Sequence, residues 1–324
     1  MPIAVLGVGE HGKRHAQALK RVRGAELAGV YDQLLDRAES MAVELGVKAF
    51  KSLDEALEAA EAVSVVIPTT DHAAVARQAM EAGIDVLLEK PITRTVEEAD
   101  GLIEIANRTG RILQVGHLER FNPGVIAAKA VTHQPLFFEI HRLGVFSPRS
   151  LDVDVVFDLM IHDLDLVLWL ADAEPREVRA VGLPVLTDRV DIANARVEFE
   201  SGAVANFTAS RVSTEKVRKF RYFQPHEYIS IDFSRRDALL LNVVNDGEHP
   251  GISFRKLEVQ NTDPLEAELE SFADCVRTRR PPLVGGKEGR SALALAEEVM
   301  FCIEEHAGRV NVLLTRPSGH SGEL

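Results

Sequence analysis

A chain of 324 residues is long for a single domain, and its 46% apolar residues suffice for two cores. The net charge of −13 argues against nucleic acid or an anionic membrane as a main partner. Cys275 and Cys302 make neither a disulfide framework nor a zinc pattern, and no run approaches the roughly 18 apolar residues of a membrane span. The start Met1-Pro2-Ile3-Ala4-Val5-Leu6 lacks the basic region of a signal peptide, so a cytoplasmic location is expected.

Residues 3–6 read as a buried strand. Gly7-Val8-Gly9-Glu10-His11-Gly12 follows at once and opens a helix over about 11–22. Alone, GxGxxG is a weak signal; between a strand and a helix it gains meaning. Gly7 permits the tight turn, Gly9 lets the backbone approach a pyrophosphate, and Gly12 allows close helix–strand packing. Free N–H groups at the helix start face the anion, and Glu10 and His11 join the expected cofactor set. A second strand, 26–31, ends in Asp32, 20 positions after Gly12. This fold places a carboxylate there, on the ribose 2′-hydroxyl. The same charge repels a 2′-phosphate, so NAD is expected rather than NADP.

The alternation continues with a helix over 36–45 closed by Gly46, and a helix opened by the capping box Ser52 and Glu55. A strand over 62–67 ends at Pro68-Thr69-Thr70-Asp71-His72, and a helix runs on to about 82. A strand over 84–88 ends in Glu89-Lys90-Pro91. A helix over about 96–108 and Gly110 lead to a strand over 112–115. This is the pattern of a doubly wound parallel sheet, with ligands at the carboxyl ends of its strands. Thr69, His72, Glu89 and Lys90 therefore join the glycine loop and Asp32 as cofactor candidates. Lys90 at a strand end is partly desolvated, which suits proton relay; a plain pairing with Glu89 is the alternative.

The pattern changes at Gly116-His117-Leu118-Glu119-Arg120-Phe121-Asn122-Pro123, which marks a boundary between domains 1–120 and 121–324. A short helix over about 125–131 and a strand over 136–143 follow. Next comes Phe157-Asp158-Leu159-Met160-Ile161-His162-Asp163-Leu164-Asp165-Leu166, too apolar for a surface helix. Asp158, His162 and Asp165 stand at i, i+4 and i+7, one face of an α-helix. Imidazole beside carboxylate is equipment for moving a proton near neutral pH; satisfied buried polar groups are the structural alternative.

Strand-like runs then fall at 177–185, 193–200, 203–212, 219–223, 228–233, 238–244 and 252–259, with Ser201-Gly202 as a hairpin turn. They imply a large, mostly antiparallel open sheet in an α+β domain. Such a sheet needs a cover, and a homodimer or homotetramer through it is expected. Helices over 266–279 and 291–306 close the chain, the latter packing back on the first domain. The tail 316–324 reads as loose. Arg120, Asn122, Arg142 and Arg149 are the substrate-binding candidates. The basic stretch Arg211, Lys216, Arg218, Lys219 and Arg221 reads first as a solvated strand edge, with a phosphorylated ligand as the alternative. His117 near Glu119 lacks a second histidine at ligand spacing, so no metal site is expected.

Together the glycine loop, Glu89-Lys90-Pro91, Val115-Gly116-His117 through Asn122-Pro123, and the Asp158-x-x-x-His162-x-x-Asp165 pattern resemble the Gfo/Idh/MocA oxidoreductases. The resemblance covers almost the whole chain. It implies a nucleotide domain, a mixed α/β domain and a catalytic cleft lined by Lys90, Asp158 and His162. Val155-Val156-Phe157 departs from the two glycines or aromatics common before that aspartate, and Leu118-Glu119 from a polar–basic pair. The run 149–162 and Tyr222-Phe223-Gln224-Pro225-His226-Glu227-Tyr228-Ile229-Ser230 are similar to a subgroup that oxidises the 3-hydroxyl of UDP-N-acetylglucosamine. The implied activity is NAD-dependent oxidation of a secondary hydroxyl on a sugar or nucleotide sugar. An inositol, polyol or aldose dehydrogenase is an alternative. A redox-neutral enzyme with tightly held NAD and a non-catalytic NAD-binding protein are others.

Overall fold

The computed structural model describes residues 1–147, 153–233, 235, 237–245 and 250–309. The chain divides into two compact units, Met1–Phe121 with Asn261–Leu293, and Asn122–Gln260 with the chain from Ala294.

The first unit opens with β1 (Pro2–Leu6), α1 (Glu10–Leu19), β2 (Glu26–Tyr31), α2 (Leu35–Leu45), β3 (Lys48–Ala49) and α3 (Leu53–Glu58). It continues with β4 (Ala62–Val65), α4 (Thr69–Glu81), β5 (Asp85–Glu89), α5 (Val96–Thr109) and β6 (Leu113–Gly116). The six strands are parallel in the order β3-β2-β1-β4-β5-β6, the doubly wound arrangement. A strand covered on both faces must be apolar on both, and Ile3 to Leu6 are fully buried. The helices begin and end where side chains and backbone can satisfy their free groups. Ser52 Oγ accepts the Glu55 N–H at 3.1 Å, Thr95 Oγ1 accepts the Glu98 N–H at 3.3 Å, and left-handed Gly46 and Gly110 close α2 and α5. β3, two residues long, shows no alternation in sequence and was not expected.

The second unit begins with α6 (Pro123–Lys129) and β7 (Phe137–Leu143). One π turn, Val156–Met160, leads into α7 (Ile161–Ala171). Then come β8 (Pro175–Leu183), β9 (Ile192–Phe199), β10 (Val204–Ser210), β11 (Val217–Gln224), β12 (Glu227–Asp232), β13 (Asp237–Asn245) and β14 (Pro250–Lys256). Their order is β14-β13-β12-β11-β7-β10-β9-β8, with every pair antiparallel except β7–β10. Alternation divides the faces. Phe138, Ile140, Phe220, Tyr222, Ile229 and Ile231 are buried on one. The register aligns Phe137, Phe223, Tyr228, Leu241 and Phe254 across five strands on the other.

Late in the chain, α8 (Pro264–Thr278) returns to the first unit. It buries Leu269, Phe272 and Val276 in the same core as Ala16 and Leu19 of α1. The last helix, α9 (Gly286–Arg309), starts in that unit, where a Cβ at Gly289 would come within 2.8 Å of Val115. The sequence counts residues 291–306 in the domain 121–324 and expects them to pack back on the first domain. From Ala294 onward they belong to the second unit, where Ile303 packs on Gly182 and the Cys302 thiol donates to the Val178 carbonyl at 3.4 Å.

Candidate active site

In the first unit the glycine loop has the tight geometry its sequence demands. Gly7 has φ +88°, and a Cβ there would stand 2.3 Å from the Val66 carbonyl oxygen. A Cβ at Gly12 would stand 1.8 Å from the Gly7 carbonyl oxygen, whereas at Gly9 nothing lies within 4 Å. The backbone is thus closed toward the sheet and open at Gly9, beside the start of α1, where Glu10 and His11 are exposed. This is a cradle that a pyrophosphate fits. Asp32, at the end of β2, is buried and accepts the Val8 N–H and the Leu34 N–H, each at 2.9 Å. It therefore ties the glycine loop to the neighbouring strand end. Arg37 approaches the same carboxylate at 3.5 Å from an exposed position.

Thr69 opens α4. His72 was expected to meet the cofactor. Instead it is buried, with its ring nitrogens 3.0 Å from the Ile67 carbonyl and 2.9 Å from the Pro91 carbonyl. It joins two strand-end loops, and burial holds its pKa below the ordinary histidine value despite those carbonyls. Half-buried Lys90 ends this wall, and its N–H donates to the Glu89 carboxylate at 3.1 Å.

Glu89 has company that the sequence did not disclose. His15 Nε2 lies 3.2 Å from Glu89 Oε1, and its Nδ1 lies 2.9 Å from Ser64 Oγ. With the proton on Nε2, the ring donates to the carboxylate and accepts from the serine. Glu268 of α8 is fully buried, and His15, Glu89 and Glu268 offer N or O atoms within 4.8 Å of one another. The sequence singles out no role for His15, which stands beside the small apolar residues Ala16, Ala18 and Leu19 of α1. Glu268 did carry a signal: it lies four residues before Phe272, on the apolar stripe of its helix.

In the second unit the segment holding Asp158 and His162 is pinned at its entry. Asp154 accepts the Val190 N–H at 2.8 Å, and the Val155 N–H donates to the Val190 carbonyl at 2.9 Å. Asp191 holds the loop that follows β8 by accepting N–H bonds from Val185, Leu186 and Thr187 at 2.8, 2.6 and 2.8 Å. A plain α-helix through Asp158, His162 and Asp165 was expected. The π turn puts Asp158 in a wider turn than His162, so the three do not share one α-helical stripe. Asp158 and His162 are half-buried, whereas Asp163 and Asp165 are buried.

Three substrate candidates prove to have internal partners. Arg142 forks buried Asp163, with Nε and Nη2 at 2.8 and 2.7 Å from its two oxygens. Buried Asn122 caps α6 by accepting the Gly124 N–H at 3.0 Å. Buried Arg120 donates to the Leu283 carbonyl at 3.4 Å. Arg149 lies outside the described residues. Of the basic stretch, Arg211 stands 3.7 Å from Asp191 and Arg221 stands 2.9 Å from Glu139. Among the described residues no helix is long and apolar enough to cross a membrane.

Residues 1–117 match the family described as "Oxidoreductase family, NAD-binding Rossmann fold", and residues 128–223 match the "GFO/IDH/MocA C-terminal domain". The chain is 41% identical to UDP-N-acetylglucosamine 3-dehydrogenase of Acidithiobacillus ferrooxidans, over 94% of this chain and 97% of that protein. A solved structure of that enzyme superposes with a TM-score of 0.89, covering 94% of this chain and 98% of the other. The scyllo-inositol 2-dehydrogenase (NAD(+)) of Bacillus subtilis is 30% identical over 87% of each chain. With both parts of the chain matched and 94% of it aligned to the first of these dehydrogenases, the protein belongs to the Gfo/Idh/MocA family of NAD-binding oxidoreductases.

Proposed function

We propose that this chain is an NAD-dependent dehydrogenase that oxidises the 3-hydroxyl of UDP-N-acetylglucosamine to a ketone. The observation that carries this reading is the 41% identity to an enzyme of that name, sustained over 94% of the chain. In this reading the first unit is the cofactor domain, and the second binds substrate and makes the oligomer.

The pyrophosphate would rest on the Gly7–Gly12 loop and the adenosine ribose on Asp32. When bound, the nicotinamide accepts a hydride from the carbinol carbon. This chain's own residues supply the proton transfer and the orientation. Either the Lys90 amine or the His162 imidazole takes the hydroxyl proton, and Asp158 orients His162 or the substrate. NAD is favoured over NADP because Asp32 presents its charge at the ribose position. Arg120, Asn122 and Arg142, each with an internal partner, and Arg149 are the substrate-binding candidates.

The outer row of the large sheet supports a homo-oligomer. The rings of Phe137 and Phe223 lie tilted with centroids 5.7 Å apart and those of Phe223 and Tyr228 with centroids 5.0 Å apart, while Phe254 is 66% exposed. An exposed aromatic row of this kind is the ordinary makings of an interface.

The test supplies the protein with NAD and, separately, UDP-N-acetylglucosamine, free N-acetylglucosamine, an inositol and glucose. NADH formation and a two-hydrogen mass loss in the sugar are followed. Turnover on the nucleotide sugar at least about 100-fold above the free sugars is expected. Turnover confined to the inositol or the aldose would overturn the substrate assignment. Reduced cofactor that never leaves the protein would point to a redox-neutral enzyme.

A further inference from the structure

Glu268 has no place in the proposed chemistry, yet it is a carboxyl group in the core of the first unit. It is fully buried on α8, and neither carboxylate oxygen has a hydrogen-bond partner. A carboxyl group so placed is expensive unless it is neutral or paired. The titratable groups that face it are Glu89 of β5 and His15 of α1, with ligand atoms within 4.8 Å of one another. Lys90 and exposed His11 lie further along the same cluster and act on Glu89 by charge.

These surroundings push the two carboxyls apart. Burial first, and then the charge of Glu89, raise Glu268 well above the usual carboxylate range. Burial raises Glu89 too, but the His15 hydrogen bond and the charges of His15, Lys90 and His11 outweigh it and bring Glu89 down to about 2. Two neighbouring carboxyls with separated protonation are a donor and an acceptor.

We propose that Glu268 is a positioning residue for the Glu89–Lys90 turn: its neutral carboxyl donates a hydrogen bond to Glu89, opposite the bond from His15, and fixes that carboxylate in one orientation. Oxygens of the two carboxyls lie within 4.8 Å of each other, so closing the bond requires the Glu268 carboxyl to move toward Glu89. Glu89 Oε2 accepts the Lys90 N–H, so an oriented Glu89 sets the backbone that carries the Lys90 amine. One negative charge, rather than two, then stands beneath that amine. This role rests on Lys90 belonging to the reaction assigned above. The rival occupant is a cation bound by the same three side chains, a donor set that a zinc ion with one open position accepts, and metal analysis of the purified protein distinguishes it.

The first measurement is the infrared carbonyl stretch of a protonated carboxyl group in the NAD-loaded protein at neutral pH. The band is expected in the wild type and absent from E268Q and E268L. An ionised Glu268, or stoichiometric metal in the purified protein that E268Q loses, would overturn the proposal. The second is the kinetic split. Leucine cannot donate, so E268L should lower kcat about tenfold and shift its pH profile, with the KM for NAD little changed. Glutamine donates an N–H, so E268Q should recover most of that loss. Equal losses in both variants on an unshifted profile would mark a merely structural side chain and sink the idea. The infrared band needs no substrate, so its absence speaks against Glu268 alone. Its presence with no turnover of UDP-N-acetylglucosamine speaks against the substrate reading alone.

Discussion

Arg142 of β7 meets Asp163 of α7 through two hydrogen bonds of 2.8 and 2.7 Å, in a buried, bidentate pair. Asp163 is the neighbour of His162, so the pair fixes the start of α7 against the sheet. Arg142 also lies 5.2 Å over the Phe233 ring, which leaves little freedom to the guanidinium. Breaking such a pair strands a buried charge. Asp163→Ala should therefore cost about 3–5 kcal/mol in urea unfolding. Arg142→Met with Asp163→Leu removes both charges and should cost much less. If the single and double variants were equally unstable, the loss would be one of packing and not of an orphaned charge.

His162 is the group whose removal should separate chemistry from binding. General acid–base assistance is worth about 10²–10⁴-fold, so His162→Asn should lower kcat by that order. Cofactor affinity, read by titration with NAD, should stay within about twofold, since the glycine loop and Asp32 belong to the other unit. Lys90→Met provides the comparison: the larger kcat loss of the two identifies the immediate base. Near-normal turnover by His162→Asn would remove it from that role.

How far the sequence discloses this molecule depends on whether a feature is local. β1 is buried on both faces from Ile3 to Leu6, so an unbroken apolar run marks it, and in β4 Ser64 alone interrupts the run. Ser52, Gly46 and Gly110 act on the helix they terminate, and their spacing alone discloses them. The glycine loop and Asp32 are likewise a strand–turn–helix property. What failed to show is set by long-range pairing. Nothing near Arg142 says that its partner stands 21 residues on, so it reads as a free cation suited to substrate. His72 reads as a strand-end ligand because its two carbonyl partners are supplied by separate loops. The π turn has no residue signature of its own, so the sequence yields one regular helix where the chain inserts a wider turn. His15 and Glu268 meet only because α8 returns to the first unit from more than half the chain away.

Asp32 should decide the cofactor. Its carboxylate holds the loop through the Val8 N–H and, in the proposed pose, would repel a 2′-phosphate, which Arg37 at 3.5 Å could hold once the acid is gone. Asp32→Ser should raise the KM for NAD at least about tenfold and move the NADP:NAD ratio of kcat/KM upward by about 10–100-fold. Adding Arg37→Ala should cancel the gain for NADP. An unchanged cofactor preference in Asp32→Ser would place the ribose elsewhere.

Glu268 also sets a pH dependence. Its folded pKa lies above its unfolded value of 4.5, so between the two the unfolded chain has released a proton that the folded chain keeps. That contribution is harmless below the unfolded value and lowers stability as pH rises through and above it. Glu89, brought down to about 2, acts oppositely: its stabilisation is present above 4.5 and lost as pH falls toward about 2. Glu268→Gln removes the first effect alone. Its Tm relative to wild type should climb as pH rises above 4.5 and stay flat well below it. A difference independent of pH would mean that Glu268 is ionised in the folded protein.

The outer face of the large sheet makes the last prediction. Its rows run across β7, β11, β12, β13 and β14, and the edge strand presents Phe254 at 66% and Ile252 at 63% exposure, with Val243 at 44% on the strand beside it. Water-exposed aromatic and branched residues in register across paired strands cost little only if another surface covers them. A second copy of this chain offers an identical row, and a two-fold axis would set the two rows against each other. Phe254→Glu places a charge in that row without touching the buried face, where Phe220, Tyr222 and Ile229 are packed. In sedimentation or size-exclusion measurements the wild type should run as a dimer or tetramer. The variant should fall to a smaller species at micromolar concentration, with its far-ultraviolet circular dichroism unchanged. An oligomer that survives Phe254→Glu intact would move the interface off this face.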